Sequence, residues 1–294
     1  MARGFVYSVV SAVCLGTLAI LAKMGLAMGF SSVQVVGCRF FFGALMLLAW
    51  LAATRPSMLR IRPRALMKAA LLGAGIYPVQ SWCFIKALET IPASTTSLIY
   101  YGYPVATTII AMVVFRFRPG RTVLLALGLT AVGCGLVFHD AFSRDCDAQG
   151  MLYALICMAV FSVYLTLVQV FTRADEARRI AVWVVFSMAL VFCFIAPPQH
   201  MLSRPLSAWA VALGLGFFPT ALAISLLYRA VAEVGSAYVS IFSTIEPVTT
   251  VLLSALVLGE SLRLMQLAGM ALIIAGIVLP NARQARRRGL VERA

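Results

Sequence analysis

The sequence predicts an all-α integral membrane protein whose ten transmembrane helices form two inverted five-helix repeats. The first observation is composition: of 294 residues, 62% are hydrophobic and 12% are charged, whereas a soluble domain carries roughly 25% charged residues. The second is the length of the apolar segments, because a helix needs about 20 apolar residues to cross a bilayer and each segment has close to that number. The third is a set of matched residues that recur 141–143 positions apart.

Ten apolar segments follow one another along the chain with short connections. We expect helices at about 5–27, 32–54, 66–87, 93–114, 121–139, 150–171, 178–197, 207–230, 236–258 and 262–280. Residues 1–140 then form an N-terminal five-helix repeat, residues 150–280 form a C-terminal one, and residues 281–294 form a basic cytoplasmic tail.

Lysine and arginine predict how the spans are oriented. With the N-terminus in the cytoplasm, 18 of the 24 basic residues fall on the cytoplasmic side, five fall outside, and Arg39 lies within a span. Basic residues concentrate in the cytoplasmic loops of membrane proteins. We therefore expect a multi-pass protein of the bacterial inner membrane with both termini in the cytoplasm. The same distribution accounts for the net charge of +14, so we expect no nucleic-acid partner.

The two halves match at a nearly constant separation. Tyr103-Pro104-Val105 matches Glu246-Pro247-Val248 at 143 residues, and Pro78 matches Pro219 at 141. Because each half has an odd number of spans, the second half starts from the opposite side of the membrane. This is the inverted repeat of many secondary transporters, whose binding site lies between the repeats near the midplane.

Glycines recur in the fifth and tenth spans. Gly128 and Gly135 are seven residues apart, and Gly269 and Gly276 repeat that spacing. Small residues let helices approach closely, so we expect all four glycines at helix contacts.

The ninth span carries one charge, Glu246, near its middle, and Pro247 follows it. A carboxylate at that depth is unfavourable against lipid by at least ~2.5–3.5 kcal/mol, so it should face protein or water. Pro247 has no N–H, which leaves the carbonyl of Ser243 without its helical partner. Together these residues predict a polar lining near the midplane.

The ten spans, the Tyr103-Pro104 and Glu246-Pro247 pair, and the ending Leu258-Gly259-Glu260 resemble the EamA family of the drug/metabolite transporter superfamily. The resemblance covers roughly Phe5 to Pro280, and within the family the chain is similar to YddG-like bacterial exporters of amino acids. It implies a central cavity surrounded by spans 1, 3, 4, 6, 8 and 9. The first half departs from the pattern, because Phe117-Arg118 stands where the second half has Gly259-Glu260.

Two groups of residues are candidates for carrying transport. Aromatic and polar side chains well inside the spans predict a substrate-binding wall, formed by Tyr77, Gln80, Trp82, Tyr100, Tyr103, Ser243 and Glu246. Prolines inside the spans predict helix breaks or gates, at Pro78, Pro104, Pro219 and Pro247.

Charged residues within the spans have two interpretations. Arg39 either binds a substrate carboxylate or reaches the outer surface about seven residues away, and we favour the surface or an ion pair. Lys23 and Lys86 are interpreted in the same way. Glu246 binds a substrate ammonium, carries a coupling proton, or caps the backbone that Pro247 opens.

These observations predict a secondary active transporter that exports small metabolites, with amino acids, aromatic ones included, as the expected class. The alternatives are an exporter of multiple drugs or cationic compounds and an intramembrane enzyme. We expect no enzyme, cofactor or metal, because the chain has no GxxxxGK[ST] or HExxH motif. The expected partners are a small-molecule substrate and membrane lipid, with no obligate protein partner.

Overall fold

A computed structural model describes residues 2–114, 116, 120–142, 147–171, 174–234 and 245–291. Within these ranges the secondary structure is helical, without β-strands. The first half contains helices α1 (Ala2–Ala27), α2 (Ser32–Thr54), α3 (Pro63–Ala70), α4 (Tyr77–Leu88), α5 (Ala93–Tyr100), α6 (Tyr103–Val114) and α7 (Arg121–Phe142). A π-helical turn, Leu71–Ile76, joins α3 to α4, and Pro56–Leu59 forms a 3₁₀ turn.

The second half repeats much of this order. It contains α8 (Ala148–Phe171), α9 (Ala174–Ile195), α10 (Leu206–Gly216), α11 (Ala223–Val234), α12 (Ile245–Leu258) and α13 (Leu264–Val291). A second π-helical turn, Phe217–Leu222, joins α10 to α11, and Pro198–Met201 forms a 3₁₀ turn.

Five helical segments in the described residues are long and apolar enough to cross a membrane: Arg3–Ala27, Ser32–Thr54, Ala93–Val114, Ala148–Leu167 and Leu206–Leu227. Four shorter apolar helices are Leu124–Val137, Arg179–Ile195, Ile245–Leu258 and Leu264–Gly276. Large apolar side chains such as Leu256 and Phe194 are each 81% exposed. The helices and their apolar exterior are those of a multi-pass membrane protein.

The predicted spans differ from the helices at several places, and the last helix, α13, continues past the predicted end at residue 280 to Val291. The third span, near 66–87, is the composite α3–π–α4 and belongs to neither apolar group. The fourth span is two helices, α5 and α6, separated by a turn at Tyr101 and Gly102. Pro104 then lies in the first turn of α6, where a missing N–H breaks no helical bond. The predicted start of the ninth span at residue 236 lies outside the described residues.

Local signals explain where some helices begin and end. The hydroxyl of Ser31 accepts from the Gln34 N–H at 3.3 Å, and the Gln34 side chain accepts from the Ser31 N–H at 3.0 Å. This reciprocal capping box starts α2. Helix α12 ends at Gly259, whose φ of +68° is the left-handed conformation that glycine adopts without strain.

Helix α1 lies at the centre of the bundle. It packs against α11 and α12 of the second half and also contacts α4 and α5 of the first. The hydroxyl of Ser11 donates to the Ala223 carbonyl at 2.8 Å, and the hydroxyl of Thr250 donates to the Gly16 carbonyl at 3.1 Å. These bonds join the two halves through buried polar groups that have no water to bond.

Helices α7 and α13 form the tightest helix pair. A Cβ atom placed on Gly133 would lie 2.6 Å from the Gly269 carbonyl, and one on Gly276 would lie 2.6 Å from the Ala126 carbonyl. The expectation that Gly269 and Gly276 lie at a helix contact is confirmed. For Gly128 and Gly135 it is wrong in the part of the chain that the structure describes, because no described residue lies within 4 Å of a Cβ on either glycine. The contact uses Gly133, which is on another face of α7.

We predict that Gly133→Ala destabilises the protein and that Gly128→Ala, the same change on the same helix, does not. At Gly133 the new methyl meets backbone that cannot move aside, and overpacking of this kind typically costs about 1–3 kcal/mol. At Gly128 the methyl enters open space and improves helix propensity. Thermal unfolding in detergent measures both variants, and equal unfolding temperatures would contradict the α7–α13 contact.

Candidate functional site

A cavity of about 370 Å³ lies between the two halves of the chain. This volume is within the range of small-molecule sites. Its lining comes from α1, α2, α4, α5, α6, α8, α11 and α12 and from the second π turn, and comprises Leu15, Leu18, Ala19, Arg39, Tyr77, Gln80, Ser81, Phe84, Ser97, Tyr100, Tyr101, Tyr103, Phe161, Tyr164, Pro219, Ile224, Leu227, Glu246 and Thr250. All six spans that the resemblance places around a cavity contribute, and α2 adds Arg39.

Aromatic rings form one wall of the cavity. Tyr77 and Tyr164 stack with ring centroids 4.9 Å apart. Phe161 contacts Tyr100 at 5.1 Å and Tyr103 at 5.0 Å. Such contacts stabilise a cluster beyond simple burial, so this wall is rigid and offers faces and edges of rings to a ligand.

Two broken helices flank the cavity. Proline at 78 and at 219 removes a helical N–H, and each lies in or beside a π-helical turn. At Pro219 a side chain replaces the missing hydrogen bond: the Thr220 hydroxyl donates to the Leu215 carbonyl at 3.3 Å. The same hydroxyl oxygen accepts from the Arg39 Nε–H at 3.4 Å. The break in one helix therefore orients a charged side chain on another.

The expectation that Arg39 reaches the outer surface is wrong. Its side chain lines the cavity, and the residue is only 8% exposed. The guanidinium carbon lies 4.8 Å from the centroid of the Phe40 ring, a cation–π distance. For Lys23 the ion-pair interpretation is confirmed, with Glu260 as the partner, and Lys86 pairs with Glu89.

Glu246 gives the cavity a carboxylate. It interacts electrostatically with Arg39 and with the Tyr101 hydroxyl, and within the described residues no basic side chain forms a direct ion pair with it. Tyr101 is only 5% exposed and lines the cavity, and its hydroxyl makes no hydrogen bond of normal geometry to any described residue. The site thus holds a guanidinium, a carboxyl group and a buried hydroxyl beside that carboxyl group.

The structure brings most of the predicted binding residues together. Tyr77, Gln80, Tyr100, Tyr103 and Glu246 all line the cavity, as does the predicted helix-break residue Pro219.

Other predicted residues lie elsewhere. Trp82 is not in the lining, and its indole packs edge-on against Tyr153 with centroids 5.6 Å apart. Pro78 and Pro247 occupy first turns of α4 and α12, outside the lining, and Pro104 occupies the first turn of α6. Ser243 lies outside the described residues. Substrate contact by Trp82 and Ser243 stays a prediction, as does a gating role for the prolines.

Sequence reasoning missed two aromatic residues of the lining and the residue that orients Arg39. Phe161 and Tyr164 are three residues apart on α8, and so share a helix face. That spacing on the sixth span, which the resemblance places beside the cavity, was the available signal. Thr220 had no such signal, because its role depends on the carbonyl that Pro219 leaves free.

A second polar cluster joins the halves at the end of α1 farther from the N-terminus. The Glu260 carboxylate accepts from the Ala93 N–H at 2.6 Å, and from the N–H and hydroxyl of Ser94 at 3.1 and 2.7 Å. Lys23 Nζ lies 3.0 Å from Glu260 Oε1 and donates to the Ile91 carbonyl at 3.0 Å. We call Glu260, Lys23, Ala93 and Ser94 the Glu260 clasp.

The Glu260 clasp supplies a helix cap that the local sequence lacks. The residue before α5 is Pro92, whose side chain makes no capping bond, so the first N–H groups of α5 would be unpaired. Glu260 provides a carboxylate where the helix dipole favours negative charge. Burial raises the pKa of Glu260, but the bonds from Ala93 and Ser94 and the charge of Lys23 outweigh it, so the net pKa is lowered from the ordinary value of 4.5.

The EamA-like transporter family matches the chain twice, over residues 2–139 and 148–281. Similar proteins include an uncharacterized transporter of Archaeoglobus fulgidus, 26% identical over 275 residues, which covers 92% of this chain and 93% of the relative. The uncharacterized transporter YwfM of Bacillus subtilis (strain 168) is 26% identical over 201 residues, 68% of each chain. An uncharacterized transporter of Clostridium kluyveri is 22% identical over 297 residues, 95% of this chain and 93% of the relative.

A crystal structure of 18% sequence identity has the same fold. It aligns with a TM-score of 0.66 and covers 98% of this chain and 99% of that chain. The relatives' names describe transporters and name no substrate, so they point to transport rather than to an enzyme.

We predict that Glu260→Gln lowers stability at neutral pH by about 1.5–3 kcal/mol, the typical contribution of hydrogen bonds to a charged group. Because the folded pKa of Glu260 is lowered, its stabilisation is fully present above the unfolded value of 4.5 and is lost as pH falls through the folded pKa. The difference between the two proteins should therefore shrink in acid.

Thermal unfolding in detergent at several pH values measures this difference. Glu233→Gln serves as the matched control, because Glu233 is exposed and the change should have little effect. A stability difference for Glu260→Gln that is constant down to strongly acidic pH would contradict an ionised Glu260 in the clasp.

Proposed function

The chain belongs to the EamA-like transporter family, and from that premise we propose that it is a secondary active transporter that exports amino acids. We propose the bacterial inner membrane as its location and alternating access as its mechanism. The observation that carries the proposal is the cavity between the halves, which combines an aromatic wall with one buried cation and one carboxylate.

The chemistry of the cavity supports an amino-acid substrate. An α-amino acid has an ammonium and a carboxylate, and the cavity has Glu246 and Arg39. The rings of Tyr77, Tyr100 and Phe161 can pack against an apolar or planar side chain, which supports aromatic amino acids within the class. In this proposal Tyr77, Gln80, Tyr100, Tyr103 and Glu246 contact the substrate.

Alternating access between inverted repeats is supported by the spacing of the helices. Helix α7 begins at Arg121 and α13 begins at Leu264, 143 residues later. Helix α3 begins at Pro63 and α10 at Leu206, again 143 residues later, and both lead into a π turn. We propose ten spans in two inverted repeats at 1–140 and 150–280, because rocking of one repeat against the other opens a midplane site to either side.

We propose that the Glu260 clasp closes the outer side of this cavity. It connects α1 and α5 of the first half to the connection between α12 and α13 in the second. Release of substrate to the outside then requires these bonds to separate. Closing contacts made of a few charged hydrogen bonds suit a gate, because water replaces them when the gate opens.

Export of organic cations is the second candidate. A buried carboxylate beside several aromatic rings is an arrangement that binds organic cations, and Glu246, Tyr101 and Tyr103 form such a group. The buried charge of Arg39 opposes this candidate, because it repels a ligand that has no negative group.

Counterflow into proteoliposomes tests the proposed substrate class. We predict that vesicles loaded with L-phenylalanine or L-leucine accumulate the labelled amino acid, whereas vesicles loaded with tetraphenylphosphonium do not accumulate that cation. Accumulation of the cation alone would replace the amino-acid proposal with the second candidate. Protein-free vesicles provide the baseline.

Tyr100→Ala tests the aromatic wall. We predict that counterflow of L-phenylalanine falls about 3–10-fold, because the substrate loses ring contacts. Phe194→Ala is the matched control, since this aromatic side chain is 81% exposed on the outside of the bundle. Flux is normalised to folded protein, and equal flux in both variants would move the substrate away from Tyr100.

Reporter fusions test the inverted repeat. With five spans in the first half, a fusion ending at Ala148 should report the outside and one ending at Ala282 the cytoplasm. Both fusions on one side would require an even number of spans between them. The second half would then not be an inverted copy of the first.

A further inference from the structure

Arg39 is the charged group in the cavity with the most unused hydrogen-bonding capacity. The guanidinium of arginine has five N–H donors and never loses its charge in a protein. One of them, on Nε, donates to Thr220. Within the described residues the terminal nitrogens Nη1 and Nη2 have no hydrogen-bond acceptor, although the residue is buried, with only 8% of its surface exposed.

The packing around Arg39 holds this orientation. A Cβ on Gly43, one helical turn further along α2, would lie 2.5 Å from the Thr220 side chain, and one on Gly216 would lie 2.6 Å from Phe42. Helix α2 and the second π turn therefore meet almost backbone to backbone. The Nε–H is directed at Thr220 by this contact, which leaves the paired Nη groups for the cavity.

The cavity that Arg39 lines is also lined by apolar residues such as Leu15 and Leu18, whose side chains accept no hydrogen bonds, and by Glu246, which interacts with Arg39 through charge without a direct ion pair. A buried cation with free donors is unfavourable unless an acceptor reaches it. The planar fork of arginine matches a carboxylate with two parallel hydrogen bonds. The most complementary ligand group at this position is therefore a carboxylate.

We propose that Arg39 binds the carboxylate of the transported substrate, that Thr220 positions its guanidinium, and that Glu246 with the Tyr101 hydroxyl binds the ammonium group of the same ligand. The substrate class is then a zwitterion with an apolar or aromatic body. This inference rests on the proposed export of amino acids and names the residues that recognise the two charged groups.

Three ligands that share a phenyl ring separate the two charged subsites. L-Phenylalanine carries both groups, 3-phenylpropionate keeps only the carboxylate, and phenethylamine keeps only the ammonium. Affinity is measured by calorimetry on the purified full-length protein in detergent. The buffer contains no carboxylate salt, so that no buffer anion of the proposed ligand class competes for the Arg39 site.

For Arg39→Gln we expect binding of L-phenylalanine and 3-phenylpropionate to weaken about 10–100-fold, the effect of losing hydrogen bonds to a charged group. Binding of phenethylamine should not weaken, because this ligand has no carboxylate for Arg39 to bind and the variant removes a repelling charge. For Glu246→Gln we expect the reverse pattern. Opposite losses in two variants identify two subsites, whereas a folding defect would weaken all three ligands together.

Thr220→Val tests the positioning role and covers the case in which Arg39→Gln does not fold. It keeps the charge of Arg39 and removes the acceptor of its Nε–H, so both acids should bind about 3–10-fold more weakly. Thr166→Val is the matched control, because this buried hydroxyl bonds to the Ser162 carbonyl of its own helix at 2.9 Å, outside the cavity lining. It should leave all three affinities unchanged.

Unchanged affinity for both acids in Arg39→Gln and Thr220→Val would overturn the inference, as would a wild-type protein that binds neither acid. The proposed function fails separately. If the wild-type protein shows no amino-acid counterflow but binds 3-phenylpropionate through Arg39, export of amino acids is wrong and the carboxylate subsite stands.

Discussion

The backbone hydrogen bond that a proline removes inside the membrane must be replaced by the protein itself, because the hydrocarbon offers no water. Pro219 removes one, and the Thr220 hydroxyl bonds to the Leu215 carbonyl in its place. Thr220 in turn accepts from Arg39. One missing N–H thus links a π-helical turn, a buried hydroxyl and the cation of the central cavity.

The second dependency is close approach of helices. Gly43 and Gly216 let α2 pass directly against the second π turn, and Gly16 does the same for α1 and α12. Without these contacts Arg39 and Glu246 would not line one cavity. The Glu260 clasp then connects the halves at one end, so a few polar bonds lie where the proposed mechanism requires movement.

Part of the candidate site was predictable from the sequence, because aromatic and polar residues that cluster well inside the spans indicate the wall of a cavity. Tyr77, Gln80, Tyr100, Tyr103 and Glu246 were expected together and line one cavity. Trp82 lies within the same cluster in sequence but packs against Tyr153. Gln80 and Trp82 are two residues apart on α4 and so lie on different helix faces. Which of these faces meets the cavity depends on the packing of the bundle and not on the local sequence.

The sequence by itself determined that this is a helical membrane protein with polar breaks at paired prolines, because hydrophobic length and proline chemistry are local properties. Tertiary structure alone decided the environment of Arg39, because a residue about seven positions from a span end can face either the outer surface or a cavity. It also decided that Gly133 rather than Gly128 makes the α7–α13 contact, and that Glu260 caps α5 from 166 and 167 residues away. These outcomes depend on which helix faces meet, and that depends on the packing of the whole bundle.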